Sequence, residues 1–169
     1  MKHFIFIGVI CFFSAAQAQA AGTKYFIAAV EGEGDLALKA AELDKLFCLA
    51  GTKVAEKKKQ SALCAHEVKA MMQHFSMTQS LGIKSGGKVQ GPGYYYQNSK
   101  VIFRAFMEMG KNKKLSPTPV IRIQYLQGGN PPLLIKEQVF PLSRLPKDHE
   151  LAFIQDVMLS LLMSPSKTK

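Results

Sequence analysis

Two cysteines, Cys48 and Cys64, constrain the fold of this chain more than any other sequence feature. They are the only cysteines that follow residue 11 of the 169-residue sequence. Their spacing is too wide for a C-x-x-C redox motif, and two cysteines without clustered histidine or acidic ligands make a poor zinc site. A structural disulfide is therefore the favoured interpretation, provided that the protein reaches an oxidising compartment. Free thiols, or pairing with another chain, are the alternatives.

The N-terminus has the three parts of a secretory signal peptide. Lys2 precedes an apolar run over residues 4–13, and small residues follow as far as Ala20. The apolar run is too short to span a bilayer, which takes about 20 apolar residues. We predict a signal peptide at residues 1–20, no transmembrane segment after its cleavage, and a location in the bacterial periplasm or outside the cell. An uncleaved anchor is the alternative.

Amphipathic stretches on either side of the cysteines predict two helices. The first ends at Gly51, which stands at a typical C-cap position, and the second begins at an N-cap, Ser61, and stops at Gly82. Their apolar faces recur at helical spacing. These faces hold Leu36, Ala40, Leu43, Phe47 and Ala50 in the first helix, and Cys64, Val68, Met71, Met72 and Phe75 in the second. We predict an antiparallel helix hairpin whose adjoining ends are linked by the disulfide, which stabilises the fold by roughly 3 kcal/mol.

The remaining segments predict strands and one further helix. Residues 24–30 form a first strand, and residues 100–109, 120–126 and 133–140 alternate apolar with polar side chains, as in half-buried strands. A last helix follows Pro146, with a core face of Leu151, Ile154, Met158 and Leu161. The order β-α-α-β-β-β-α predicts an α+β fold, in which one antiparallel sheet of about four strands packs on one face against the helix hairpin and the C-terminal helix.

This architecture predicts one domain over residues 21–163, followed by a flexible basic tail at residues 164–169. One sheet face is expected to be partly open to water. Its polar residues are predicted to be Arg104, Glu108, Arg122, Gln124, Lys136 and Gln138. Several apolar residues share their alternation, so that this face is either covered in places or carries a partner-binding patch. These apolar residues are Ile102, Phe106, Leu134 and Phe140.

No motif predicts an enzyme. His66 and His74 are too far apart on one helix to chelate a single ion, and the His66-Glu67 and His149-Glu150 pairs lack the second histidine of H-E-x-x-H. The glycines at positions 32 and 34 are surrounded by acidic residues, which predicts a tight strand-to-helix turn rather than a phosphate site. We therefore predict no catalytic residue, metal or cofactor; a catalytic pair assembled from distant segments is the alternative.

Positive charge is the most informative surface property. The formal net charge is +10, and it becomes +9 when Lys2 is removed with the leader. Most of the excess lies around a run of three tyrosines, and together these residues predict a partner-binding or anion-binding surface. They are Tyr94, Tyr95, Tyr96, Lys84, Lys88, Lys100, Lys111, Lys113 and Lys114. The alternative is a set of solvated lysines beside tyrosines that belong to a strand.

The partner expected from this surface is an envelope protein or an anionic envelope polymer. Specific nucleic-acid recognition is not expected, because lysine greatly outnumbers arginine, whose planar fork such recognition favours. The sequence therefore favours an exported, non-enzymatic cell-envelope protein that docks on another envelope component through basic, tyrosine-bearing loops. A secreted effector or inhibitor that acts outside the cell is the second interpretation, and a hydrolase of envelope polymers is the third.

Overall fold

A computed structural model describes residues 24–81, 89–110 and 118–163. The predicted signal peptide and the predicted tail lie outside these ranges. The elements, in chain order, are β1 (Tyr25–Gly32), α1 (Leu36–Lys57), β2 (Ala62–Cys64), α2 (Ala65–Ser80), α3 (Pro92–Asn98), β3 (Val101–Gly110), β4 (Thr118–Gln127), β5 (Leu133–Pro141), a 3-10 turn (Leu142–Arg144) and α4 (Glu150–Met163). None of the helices in the described ranges is long and apolar enough to cross a membrane.

One mixed sheet of five strands, in the order β2-β1-β3-β4-β5, organises the fold. The strands β3, β4 and β5 form the antiparallel meander that the sequence predicts. β1 runs parallel to both of its neighbours, β2 and β3. The α+β class and the single sheet are thus confirmed, whereas the prediction of about four strands, all antiparallel, is wrong.

Parallel neighbours require crossover connections, and these place helices on both faces of the sheet. α1 belongs to the crossover from β1 to β2 and packs with α4 against one face. α2 and α3 belong to the connection from β2 to β3, and they pack against the other face. The prediction that all helices cover one face is therefore wrong.

The main core lies between the sheet and the α1–α4 pair. The predicted inward residues of β3 and of the C-terminal helix are buried there, including Phe103, Ile154 and Met158. A smaller second core lies on the opposite face, where Val68 of α2 and Tyr95 of α3 cover Phe26 and Ile102 of the sheet. The apolar residue Ile102, whose alternation placed it on the polar face, is therefore buried by α2 and α3.

α1 does not end at Gly51 but continues to Lys57. Gly51 is buried, and a Cβ atom at this position would lie 2.7 Å from Cγ1 of Ile27 in β1. Gly51 is glycine because the backbone of α1 passes directly over the Ile27 side chain. The predicted C-cap was wrong because close helix–sheet packing and helix termination both favour glycine.

The Cys48–Cys64 disulfide is present, with its Cα atoms 5.7 Å apart. It joins the middle of α1 to the last residue of β2, not the two ends of a helix hairpin. Ser61 precedes β2, and α2 begins only after Cys64, whose backbone N–H donates to Glu67 Oε2 at 2.8 Å. Because disulfides persist in oxidising compartments, this bond indicates that the protein works outside the reducing cytosol.

The register of β5 corrects the predicted open face. Lys136 and Gln138 pair with Tyr125 and Ile123, so they lie on the α4 side of the sheet. Lys136 donates to the Leu161 carbonyl at 3.2 Å, and Gln138 donates to Ser160 Oγ at 2.9 Å. Phe140, which was also expected on the open face, is likewise buried in the main core. Only the register could show this, because alternation within β5 does not reveal which set of side chains faces the core.

Replacing both Cys48 and Cys64 by serine is expected to lower the free energy of unfolding by about 3 kcal/mol, because the unfolded chain regains the freedom of the open loop. Urea unfolding followed by circular dichroism measures the change. A thiol reductant should lower the free energy of unfolding of the wild-type protein by a similar amount. It should leave the free energy of unfolding of the double variant unchanged. A double variant that unfolds at the wild-type midpoint would contradict the structural role of the bond.

Gly51→Ala is expected to destabilise the protein by about 1–3 kcal/mol, because the added methyl group overlaps Ile27. This result would oppose the helix propensity of alanine, which on its own favours the change by about 1 kcal/mol. The control is the same substitution in an Ile27→Ala background, where the added methyl group has room. There, urea unfolding should show a neutral or stabilising effect, and an equal loss in both backgrounds would contradict the packing explanation.

Candidate binding surface

The three tyrosines lie on the short helix α3. The strand that the sequence offered as an alternative begins only after them. Pro92 supplies the fixed backbone angle that suits a first helical turn, and Gly91 precedes it as the N-cap. The helical spacing separates the three rings. Tyr95 is buried, Tyr96 is half-buried, and Tyr94 is 38% exposed. The predicted binding residues Tyr94 and Tyr96 are therefore accessible at least in part, and Tyr95 is a core residue.

α3 is anchored by ring contacts to Phe26 of β1. Tyr95 stacks on Phe26 with the ring centroids 5.5 Å apart, and Tyr96 approaches the same ring edge-on at 5.3 Å. Tyr94 meets Tyr95 edge-on at 5.4 Å. Aromatic pairs in such offset and edge-to-face arrangements contribute about 0.5–1.5 kcal/mol each. The exposed ring of Tyr94 therefore stands on a packed aromatic base.

The loop between β4 and β5 holds the other end of α3. The N–H groups of Gly128 and Gly129 donate to the carbonyl oxygens of Ser99 and Tyr96 at 3.1 and 3.2 Å. A side chain at Gly128 would overlap the Ser99 carbonyl oxygen. Position 128 is therefore restricted to glycine by this contact, which links the tyrosine helix to the edge of the meander.

The buried tyrosines keep their protons under physiological conditions. Burial raises the pKa of Tyr95, and the neighbouring Tyr94 raises it further. Burial also raises the pKa of Tyr96, against the lowering effect of Arg104, and Glu31 raises it again. At neutral pH these two side chains are neutral phenols. They offer a partner aromatic contact and hydrogen bonds rather than charge.

Of the predicted lysines, the structure describes only Lys100. It is exposed and lies between α3 and β3. The other five predicted lysines fall in residues 82–88 and 111–117, outside the described ranges. They are Lys84, Lys88, Lys111, Lys113 and Lys114. The basic part of the predicted surface therefore stays a prediction, and the described part is mainly aromatic and apolar.

Two apolar side chains add to this surface: Met72, which was not predicted there, and Leu134, which was predicted on the open face as part of a covered region or a partner-binding patch. Met72, which was assigned to the core face of its helix, is 42% exposed, because within α2 only Val68 is fully buried. Its sulfur lies about 4 Å from where a side chain at Gly91 would begin, so it adjoins the start of α3. Leu134 of β5, 46% exposed, pairs with Leu126 of the second core.

We call the set of Met72, Tyr94, Tyr96 and Leu134 the α2–α3 surface. A sequence signal for it did exist, because the apolar stripe of α2 is rich in methionine, which is common at adaptable binding surfaces. Exposure itself could not be read from the spacing, since a helical stripe looks the same whether or not another element covers it.

A ladder of charged side chains occupies the rest of this sheet face. Arg104 donates to Glu31 at 3.1 Å, and its guanidinium lies 4.0 Å above the Phe106 ring. Arg122 donates to Glu108 at 2.6 Å and to Glu137 at 2.9 Å. The predicted open-face positions of β3 and β4 are thus correct. These charges are paired across strands. Stabilisation of the sheet by ion pairs is therefore a sufficient reason for the ladder.

The ladder shifts the pKa of its members. Hydrogen bonds to Glu108 and Glu137 raise the pKa of Arg122. The pKa of Glu137 is lowered, first by the hydrogen bond from Gln124 at 3.2 Å and then by Arg122. Glu137 is therefore held as a carboxylate more firmly in the folded protein than in the unfolded chain.

Within the residues that the structure describes, one group has the arrangement of a metal site. The Sγ atoms of Cys48 and Cys64 and a ring nitrogen of His66 all lie within 4.8 Å of one another. The two sulfurs are bonded to each other, so they are not thiolate ligands in this state. The expectation that the cysteines lack a clustered histidine is corrected by this geometry.

No protein family model matches this chain. No curated protein matches it either. Among solved structures, a PelC dodecamer from Paraburkholderia phytofirmans is similar, with 11% identity over 85% of this chain and 90% of that chain, and a TM-score of 0.40. The lipoprotein GNA1162 from Neisseria meningitidis is 14% identical over 84% of this chain and 99% of that one, with a TM-score of 0.34. These scores are too low to transfer a function.

Glu137→Gln is expected to remove part of the acid sensitivity of the fold. Because the pKa of Glu137 is lowered on folding, its contribution is complete above the ordinary glutamate pKa of about 4.3 and is lost as the pH falls through the folded value. The side chain is 37% exposed, so we expect less than about 1 kcal/mol.

Urea unfolding of both proteins between pH 3 and pH 7 measures this effect. The stability difference between wild type and Glu137→Gln should shrink on acidification. Glu33→Gln, which removes an equal charge from the exposed turn after β1, is the matched control. A difference for Glu137→Gln that does not change with pH would contradict the assignment.

Proposed function

We propose that this chain is an exported, non-enzymatic protein of the bacterial cell envelope that docks on another envelope protein through its α2–α3 surface. One observation carries the proposal: Met72 of α2, Tyr94 of α3 and Leu134 of β5 stay exposed around the second core, and Tyr94 stands on packed rings. Tyrosine and methionine are enriched at the centres of protein interfaces. Their exposure beside a second core is typical of a surface that a partner covers.

Export is supported by two independent features. The first is the leader-like pattern at residues 1–20, and the second is the Cys48–Cys64 disulfide. The periplasm or the extracellular space is the compartment in which both features have a use.

A protein partner is favoured over an anionic polymer by the described part of the surface. Tyr94, Tyr96, Met72 and Leu134 carry no charge, and the adjacent ladder pairs its two arginines with three glutamates. A polyanion would instead need free cationic groups, and of the six lysines predicted for this surface the structure describes Lys100 alone. Binding of a polymer through the lysines outside the described ranges is the alternative that the crosslinking experiment below distinguishes.

We expect a benzophenone-bearing amino acid at position 94 or 134 to give one discrete crosslinked adduct in intact cells. The same residue at position 38 should give none, because Leu38 is 75% exposed on α1, which packs against the opposite sheet face. Mass spectrometry of the adduct identifies the partner. A protease-resistant smear in place of a discrete band would favour an envelope polymer, and no adduct at either position would contradict the docking proposal.

Met72→Glu provides a matched test of the same surface. The side chain is already partly exposed, so the variant is expected to fold, but a charge at the centre of an apolar interface should reduce the adduct at position 94 at least tenfold. Leu38→Glu introduces the same charge on α1 and should leave the adduct unchanged. Circular dichroism confirms that both variants are folded.

A further inference from the structure

Cys48, Cys64 and His66 form a group with features that a disulfide bond does not require. The three residues come from α1, the end of β2 and the first turn of α2. Their sulfur and nitrogen atoms converge within 4.8 Å. A tetrahedral Zn²⁺ with bonds of 2.0–2.3 Å separates sulfur and nitrogen ligands by roughly 3.5–3.8 Å. Once the sulfur–sulfur bond is absent, small rotations of the cysteine side chains are enough to reach that spacing.

Asp44 lies beside the histidine of this group. Its Oδ2 lies 3.7 Å from His66 Nδ1, and its Oδ1 accepts the backbone N–H of Val30 at 2.9 Å. The carboxylate is therefore fixed to the sheet on one side and faces the imidazole on the other. Metal-binding histidines usually donate the N–H of the other ring nitrogen to a carboxylate or another acceptor, and Asp44 is the carboxylate nearest to this ring. A disulfide alone gives no reason for this arrangement.

The burial of the group also suits a metal ion. Cys64 is 1% exposed, and Cys48 is half-buried, so the sulfurs lie in a low-dielectric setting that favours a thiolate only when a cation is present. The hydroxyl of Thr52 lies 3.9 Å from Cys64 Sγ, within reach of a weak hydrogen bond to sulfur. The His66 side chain is 46% exposed, which leaves an open path for an ion from solvent.

We propose that the dithiol form of this protein binds Zn²⁺ through Cys48, Cys64 and His66, with water as the fourth ligand, and that the metal and the disulfide are alternative links between α1 and α2. Every chain is synthesised with free thiols, so this form precedes the disulfide. Oxidation then exchanges one link for the other. The two thiolates pass two electrons to the disulfide bond of a disulfide-bearing oxidant, the Cys48–Cys64 bond forms, two protons convert the oxidant to two thiols, and Zn²⁺ is released.

The test uses the protein from residue 21 onward, which contains Cys48 and Cys64 as its two cysteines. The protein is reduced with a phosphine, freed of reductant without air, and titrated with Co²⁺. One equivalent should give thiolate-to-cobalt charge-transfer absorption and the visible bands of tetrahedral cobalt, and Zn²⁺ should bleach both. The oxidised protein is the matched control and should show neither. Reduced protein without these bands would overturn the proposal.

Two variants separate a built site from a pair of thiols. His66→Ala should weaken Co²⁺ binding at least tenfold, and Asp44→Asn should weaken it about tenfold by removing the carboxylate charge beside the imidazole. His74→Ala, which removes an exposed histidine from the same helix, should bind as the wild type does. Equal affinity of His66→Ala and the wild type would reduce the site to two thiols and overturn the assignment.

A second readout does not depend on colour. Zn²⁺ should slow the formation of the disulfide by oxidised glutathione at least tenfold, and a chelator should restore the rate. If the reduced chain is partly unfolded, Zn²⁺ should also increase its helical circular dichroism, because binding to a site that spans three elements favours the folded state. An oxidation rate and a spectrum that do not change with Zn²⁺ would contradict the proposal.

Discussion

The parallel alignment of β1 with both of its neighbours determines the rest of this structure. A parallel pair cannot be closed by a tight hairpin, so the chain must leave the sheet after β1 and again after β2. The first crossover connection places α1 on one face of the sheet, and the second places α2 and α3 on the other. The meander of β3, β4 and β5 needs no such connection, and α2 and α3 leave its charged half open.

The disulfide acts on the weakest element of this arrangement. β2 has three residues and lies at the sheet edge, where its backbone pairs with β1 alone. A strand this short gains little from pairing, and its position depends on what anchors its ends. Cys64 is its last residue and is bonded to the middle of α1, which is itself pressed onto β1 at Gly51. The covalent link therefore fixes the return of the first crossover.

The parts that could be predicted from sequence are those with a local period. β3 and β4 alternate and α4 has a clear apolar stripe, so their core residues, such as Phe103 and Ile154, were correctly assigned. β2 is too short to show a period, and Gly51 and Pro92 each suit two different structures. The face of β5 depends on its register with β4, which contacts and not propensity decide.

The residues of the candidate sites also fall into those that local sequence could predict and those that depend on tertiary contacts. Tyr94 could be singled out from its composition and neighbours, whereas the exposure of Met72 depends on how far α2 is covered by other elements. The approach of His66 to the cysteines depends on the turn at Cys64, where β2 ends and α2 begins. Such long-range meetings of side chains are set by topology, and a single sequence carries no periodic signal for them.

The junction at Cys64 connects the two sides of the molecule physically. α2 starts there, its first turn is held by the hydrogen bond from the Cys64 N–H to Glu67, and Met72 lies two turns further on. Whatever ties Cys64 to α1, whether a sulfur–sulfur bond or a metal ion, therefore also sets the direction in which α2 leaves the sheet. The position of the α2–α3 surface depends on that direction, because Val68 is the single buried residue that holds α2 in the second core. A change at the sulfurs is thus expected to act on the exposed surface through the orientation of one helix.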